Sequence, residues 1–317
     1  MVYKDATNLG TLVALCGYLR SSNNRKMNGM FTQFGILLMR TIARLPLALL
    51  RAIGEALGWV LYALAVPRRR VVHANLSLCF PHLSNARRRA LALDVLVCFA
   101  QAWLDRSWLW HGDPQQTRKR LRIMGALDEL DGTQPVVVFA PHFVGMDAGW
   151  SALNQQLPRV FTSIYTRQRN KAMDQWINRG RRRFGKAQLF ERREGAKAIV
   201  ASLRSGQVLY LLPDMNFGPQ ESVFVPFYGV PAATLTSLAR FARAGKAKVV
   251  PVVTRMTPDG YEVQVHPAWR AFPGTDLTAD AALMNQRLQH YIDDMPAQYY
   301  WVHRRFKSRP SGAPPVY

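Results

Sequence analysis

Two side chains in the stretch PVVVFAPHFVGMDAG (135–149) are of types that move protons: His142 and, five residues on, Asp147. A neutral imidazole is the side-chain base best matched to neutral pH. On a regular helix positions five apart point about 140° away from each other, so the two can meet only if the chain turns between them. Gly145 permits that turn. Asp147 would then accept the Nδ1–H of His142, fix its tautomer and leave Nε2 free as a general base. The residues support a second reading equally well, with Asp147 as the N-cap of a helix over DAGWSALNQQL and His142 as a structural loop histidine.

Other chemistries lack their residues. The remaining histidines (His73, His82, His111, His266, His290, His303) form no ligand spacing, so no metal is expected. No Gly-x-Ser-x-Gly occurs, and no cysteine falls in a loop of the region that reads as α/β. A base without a protein nucleophile implies that the substrate supplies one, a hydroxyl that attacks an activated acyl group.

The elements that must position these residues are legible as a pattern. Runs at 135–140, 160–165, 187–190, 207–213, 248–254 and 261–267 read as strands. Helical patterns at 148–156, 170–184, 194–205 and 234–245 lie between them. The alternation predicts an α/β fold, a mixed sheet flanked by helices, with the histidine delivered to a strand end where such sheets bind ligands. Residues 71–130 read as helical and basic, with Asn85 as an N-cap and Trp103, Trp108 and Trp110 as core or membrane-edge packing. Four stretches follow: an N-terminal extension (1–30), a membrane-associated helix (31–70), the α/β domain (71–310) and a flexible tail (311–317).

In the second stretch, Arg40, Arg44, Arg51 and Glu55 share an arc of about 60° at helical spacing, with Tyr62 continuing the stripe. Such a stripe suits a helix lying in the membrane interface, with Pro46 dividing it and PRRR (67–70) facing anionic headgroups. The net charge of +22 calls for an anionic partner: nucleic acid, a membrane surface, or an acidic protein or substrate. Nucleic acid is disfavoured, since zinc fingers, aromatic ribonucleoprotein motifs and an isolated basic arm are all missing. Three scattered cysteines indicate neither a disulfide framework nor a zinc site, which suits a reducing, cytosol-facing location.

His-x-x-x-x-Asp after an apolar strand resembles the signature of the glycerolipid acyltransferase superfamily. Further blocks narrow the resemblance: RRRVVHANLSLCFP (68–81), NRGRRRFG (178–185), LLPDMNFGPQESVFVPFYGVPAATLTSLARFA (211–242) and YYWVHRRFKSRP (299–310). Together, from about 35 to 310, they are similar to the lipid A biosynthesis acyltransferases, the late acyltransferases of bacterial endotoxin. The resemblance implies a glycerol-3-phosphate acyltransferase-like fold. It also implies transfer of a fatty acyl chain from acyl carrier protein to the hydroxyl of a hydroxyacyl chain on a phosphorylated disaccharide. The location it implies is the cytoplasmic face of the inner membrane, and it implies no metal or redox cofactor. His142 matches the family's catalytic histidine, Asp147 its acidic partner, Arg181 its required arginine and Asp214 the aspartate of its Pro-Asp block.

Around these, Arg183 and its neighbours Arg179, Arg182 and Lys186 offer cations for phosphate, and Phe227 in VFVPFYG is expected to line an acyl or acceptor channel. Asp214 is expected to hold an arginine such as Arg181. The oxyanion donors are either backbone N–H groups after Gly145 or Arg181. The competing acceptor is another lipid, such as lysophosphatidic acid. The competing class is a non-catalytic basic protein that binds membranes or nucleic acid.

Overall fold

The computed structural model describes residues 24–317; most of the expected 1–30 extension lies outside them. Helices α1 (Asn24–Ile42), α2 (Leu47–Leu64), α3 (Val66–Cys79) and α4 (Asn85–His111) come first, followed by the short α5 (Pro114–Lys119). Pro46 splits the 31–66 segment as its lost N–H and fixed φ require. The cap of α4 is Ser84 rather than Asn85: its hydroxyl accepts from Arg87 N–H at 3.3 Å. All three tryptophans of α4 are buried.

The sheet has seven strands in the order β1-β9-β8-β2-β5-β3-β4. They are β1 (Leu121–Gly125), β2 (Val136–Phe139), β3 (Phe161–Tyr165), β4 (Gln188–Glu191), β5 (Val208–Leu211), β8 (Lys248–Thr257) and β9 (Gly260–Val265). Strands β8, β2, β5, β3 and β4 run parallel, while β9 and β1 run the opposite way. Helices α6 (Met146–Gln156), α7 (Lys171–Arg181), α8 (Ala196–Arg204) and α9 (Ser237–Gly245) connect them, and α10 (Leu277–Asp294) follows β9.

Because side chains alternate along a strand, the central strands feed two cores. Val136, Val138, Val208 and Tyr210 pack with α4, α6 and α7 on one face. Val137, Phe139, Leu209 and Leu211 pack with α3, α8, α9 and α10 on the other.

Three elements differ from the sequence pattern. LRIMG forms β1, not helix, because it pairs in parallel with β9, where Arg122 also meets Glu262 at 2.7 Å. VFVPFYG opens an antiparallel hairpin of β6 (Ser222–Phe227) and β7 (Val230–Leu235), turned at Tyr228–Gly229. The tail is held rather than free: the Tyr317 hydroxyl donates to Asn75 and accepts from Phe306 N–H.

The charged stripe expected along 40–62 does not form a single face. Arg51 turns inward to Asp105 of α4 at 3.0 Å, with its guanidinium over the Tyr261 ring. Arg69 of the PRRR run caps the end of α2, donating to Tyr62 O at 2.6 Å. Apart from Glu55, what α2 exposes is apolar, with Leu49, Ile53, Trp59, Val60 and Leu64 beside Phe31, Phe34, Leu37 and Leu38 of α1. Its buried face is Leu50, Gly54, Gly58 and Leu61. Added Cβ atoms on the two glycines would lie 2.7 Å from Gln101 and 2.5 Å from Val97, so small residues let α2 seat on α4. Among the described residues α2 is the one helix whose length and composition would allow it to cross a membrane.

Candidate active site

Two neighbouring parallel strands end alike. Phe139 of β2 pairs with Leu211 of β5, and each is followed by one residue, a proline and a polar side chain: Ala140-Pro141-His142 and Leu212-Pro213-Asp214. Equal offsets from a shared register place His142 and Asp214 side by side. His142 Nδ1 lies 2.8 Å from Asp214 Oδ1, and His142 N–H donates to Oδ2 at 3.1 Å. The Tyr299 hydroxyl completes the set, donating to Oδ2 at 3.1 Å. Asp214 is fully buried; burial raises its pKa, but the charge of His142 and the hydrogen bonds from its ring and backbone outweigh it and hold the carboxyl below its ordinary value. An ionised acceptor on Nδ1 leaves neutral His142 with its proton there and Nε2 unprotonated.

Asp147 is therefore not the partner of His142. It stands at the start of α6, after Gly145 as N-cap, and faces two guanidiniums. Arg106 Nη2 lies 2.7 Å from Oδ2, and Arg181 Nε donates to Oδ1 at 2.9 Å. Burial raises the pKa of Asp147, but Arg181 and then Arg106 more than reverse it and keep the carboxyl ionised. Asp214, expected beside Arg181, holds the histidine instead, so the two carboxylates have exchanged partners. The reason lies in the sheet. Turning back along α6 carries Asp147 toward α4 and α7, whereas β5 delivers Asp214 directly to the end of β2.

Arg181 reaches Asp147 because Gly180 lets α7 close on Trp110, whose ring would stand 2.2 Å from an added Cβ. Trp150 Nε1 donates to Arg181 O at 2.7 Å and fixes the end of α7 against α6. Arg106 stacks on the faces of Trp103 and Trp110, at 4.8 and 5.7 Å.

His142, Asp147 and Arg181 line one cavity of about 590 Å³. Its walls are apolar over much of their extent, with Ile164, Leu189, Ile199, Leu211, Phe241 and Val302 among them. Arg68, Arg192 and Arg240 also line it. The C-terminal block braces the loop that carries His142: Tyr300 N–H donates to His142 O at 3.0 Å and Val144 N–H to Gln298 O at 2.9 Å. Asn75 of α3 in turn holds that block, donating to Trp301 O at 2.7 Å and His303 O at 2.8 Å.

Two expected site residues lie elsewhere. Arg183 donates to Leu109 O at 2.8 Å and to Gly112 O, satisfying the carbonyls that α4 leaves open at its end. Phe227 is fully buried in the second core, against Tyr228, Tyr299, Trp301 and Phe306, and does not reach the cavity. Arg106, Tyr299 and Asn75 were not picked out from the sequence. For Arg106 a signal existed: a charged pair, Asp105-Arg106, inside the otherwise apolar AWLDRSWLW, which could be buried only if both charges were matched. Among the described residues no group of three or more His, Cys, Asp and Glu side chains could hold a metal.

Comparison with known proteins gives this geometry a family. The family model for bacterial lipid A biosynthesis acyltransferases matches residues 20–308. The chain is 30% identical over 293 residues to the lipid A biosynthesis lauroyltransferase of Escherichia coli (strain K12), covering 90% of this chain and 94% of that protein. It is 29% identical to the palmitoleoyltransferase of lipid A biosynthesis from the same organism, with the same coverages of 90% and 94%. With the myristoyltransferase it shares 29% over 88% of this chain and 87% of the other. A solved 1-acyl-sn-glycerophosphate acyltransferase from Thermotoga maritima is 12% identical, covers 78% of this chain and 97% of its own, and superposes with a TM-score of 0.37, too loose a likeness to carry an argument. On the sequence match across nearly its whole length, the chain belongs to the bacterial lipid A biosynthesis acyltransferases.

Proposed function

We propose that this protein transfers a fatty acyl chain from the thioester of acyl carrier protein to a hydroxyl of a phosphorylated lipid A precursor. In this reading His142 Nε2 takes the proton of the acceptor hydroxyl. That oxygen attacks the thioester carbonyl, and the departing thiolate takes the proton back from the imidazolium. Asp214 holds His142 in the productive tautomer and stabilises the imidazolium as it forms. Asp147 acts at one remove, by fixing Arg181 at the cavity wall, where a guanidinium suits an anionic group of the substrate.

The observation that carries the reading is the His142–Asp214 bond at the wall of an apolar cavity. A base and a greasy channel in one place are what acyl transfer to a substrate hydroxyl requires. The net charge of +22 suits three anionic partners at once: acidic acyl carrier protein, a phosphorylated acceptor and the anionic cytoplasmic leaflet of the inner membrane. The apolar outer face of α1 and α2 suits the same location, with α2 lying on the bilayer while its glycine face stays on α4.

The test is transfer of radiolabelled acyl groups from acyl carrier protein to the precursor by the purified protein. Wild type is expected to transfer label, and His142→Ala to lose about 10²–10⁴-fold in kcat while folding normally. Near wild-type turnover by His142→Ala would remove the base from the mechanism. Mass spectrometry of lipid A from a strain lacking the gene should show one acyl mass missing and identify its position.

A further inference from the structure

A second imidazole, His303, forms part of the wall of the cavity that holds His142. Its Nε2 accepts a hydrogen bond from Asn216 N–H at 3.0 Å. A neutral imidazole carries one proton, so a ring that accepts at Nε2 must donate at Nδ1. No group among the described residues takes that proton, and the nitrogen is not among the polar atoms sealed away without a partner. Nδ1–H is thus the unmatched donor of a residue that lines the cavity.

The two histidines are set by one turn. Asp214 and Asn216, two residues apart after β5, meet His142 Nδ1 and His303 Nε2 respectively. The first leaves His142 Nε2 as an unmatched acceptor and the second leaves His303 Nδ1–H as an unmatched donor, on two residues that line the same cavity. On the far side His303 is locked by its own segment, with its N–H on Tyr300 O at 3.2 Å and its carbonyl accepting from Asn75 Nδ2 at 2.8 Å.

The geometry points to His303 as the oxyanion donor of the transfer, its Nδ1–H bonding the thioester carbonyl oxygen as negative charge gathers there. This assignment rests on the proposed role of His142. In the step, the acceptor oxygen forms its bond to the carbonyl carbon as its proton passes to His142 Nε2. The carbonyl π pair moves onto oxygen, where the His303 hydrogen bond stabilises it without transferring its proton. Collapse of the adduct breaks the carbon–sulfur bond, and the thiolate takes the proton from His142, leaving an ester and a free thiol.

A neutral donor suits this place. The charged groups facing the ring are Arg305, Arg68, His142 and Asp214. Burial, then Arg305 and His142, push the pKa of His303 down to about 3, against the opposing pull of Asp214. The ring is thus uncharged beside a base that itself becomes cationic in the transition state, and it polarises a carbonyl without repelling that base.

The test uses two substitutions that split the ring's two nitrogens. In His303→Gln the side-chain carbonyl reaches the Nε2 position and keeps the bond to Asn216, but no donor stands where Nδ1 did. In His303→Asn the amide N–H stands near Nδ1, and the Asn216 bond is lost. The expectation is that His303→Gln loses about 10²-fold in kcat with KM little changed, whereas His303→Asn stays within about tenfold of wild type. The reverse order, with Gln active and Asn inactive, would mean a purely structural histidine and overturn the assignment. A measurement on the unaltered protein is independent of both variants. Nitrogen NMR of labelled imidazoles should find His303 neutral and protonated at Nδ1 at about pH 6, well above its folded value and near the ordinary histidine pKa. A charged ring or the Nε2–H tautomer there sinks the assignment. If His142→Ala retains activity, the mechanism itself fails; if it is inactive while His303→Gln is fully active, only the role of His303 falls.

Discussion

At the scale of single residues, the two buried aspartates do different work, and substitution should separate them. Asp214 accepts from His142 Nδ1, so Asp214→Asn offers an amide donor to that nitrogen and drives the imidazole proton to Nε2. The expected result is a loss of about 10²–10⁴-fold in kcat with a smaller drop in thermal midpoint than Asp147→Asn shows. Asp147 instead neutralises Arg106 and Arg181, and Arg106 has almost no access to water. Asp147→Asn should therefore cost stability, about 3–5 kcal/mol for a buried pair deprived of one partner, and show first in thermal unfolding. Equal stability of the two variants, with equal loss of turnover, would contradict this division. The signal for the correct pairing was present as two copies of strand–x–Pro followed by a polar residue, at 139–142 and 211–214. Choosing between Asp147 and Asp214 required knowing that β2 and β5 are neighbours, which no local pattern states.

At the scale of elements, α2 turns two glycines to the protein and large apolar residues to the outside. Gly54 and Gly58 lie on α4, while Ile53 and Val60 face outward. Burial within the chain cannot account for that outer face, whereas a lipid surface can. The double variant Ile53→Glu/Val60→Glu is expected to lose flotation with phosphatidylglycerol-containing vesicles while keeping its thermal midpoint. Undiminished vesicle binding would show that another surface makes the contact. Removing residues 31–66 outright is a poor test, because it strips α4 of its packing partner and leaves Asp105 without Arg51. Periodicity found most strands and the helices between them. It missed β1 and the β6–β7 hairpin, whose existence depends on the strands they pair with.

At the scale of the whole molecule, stability should depend on pH through several histidines together. Burial lowers the pKa of His73, His111, His266 and His303, taking His111 to about 4 and His303 to about 3. An unfolded histidine titrates at about 6.5, so below that value the unfolded chain binds more protons than the folded one. Their contribution is complete above about pH 6.5 and is lost as pH falls toward the folded values. Asp147 and Asp214, with lowered carboxyl values, add a loss that begins only below about pH 4 and continues as pH falls through their folded pKa. The thermal midpoint is expected to drop between about pH 7 and pH 5 and again below about pH 4; a flat midpoint over the first interval would contradict the burial of these rings.

Read alone, the sequence determined the class of sheet, the strand that carries His142, the net charge and, through ordered blocks from 68 to 310, the family. These are properties of local pattern, of total charge, or of motifs that keep their order along the chain. Which acid bonds His142, which arginines are matched by Asp147, and which amide bonds His303 were decided only when the chain folded. The physical reason is that hydrogen bonds act over about 3 Å. The residues that make these contacts lie 72, 41 and 87 positions apart, and only strand register and helix packing bring them within reach.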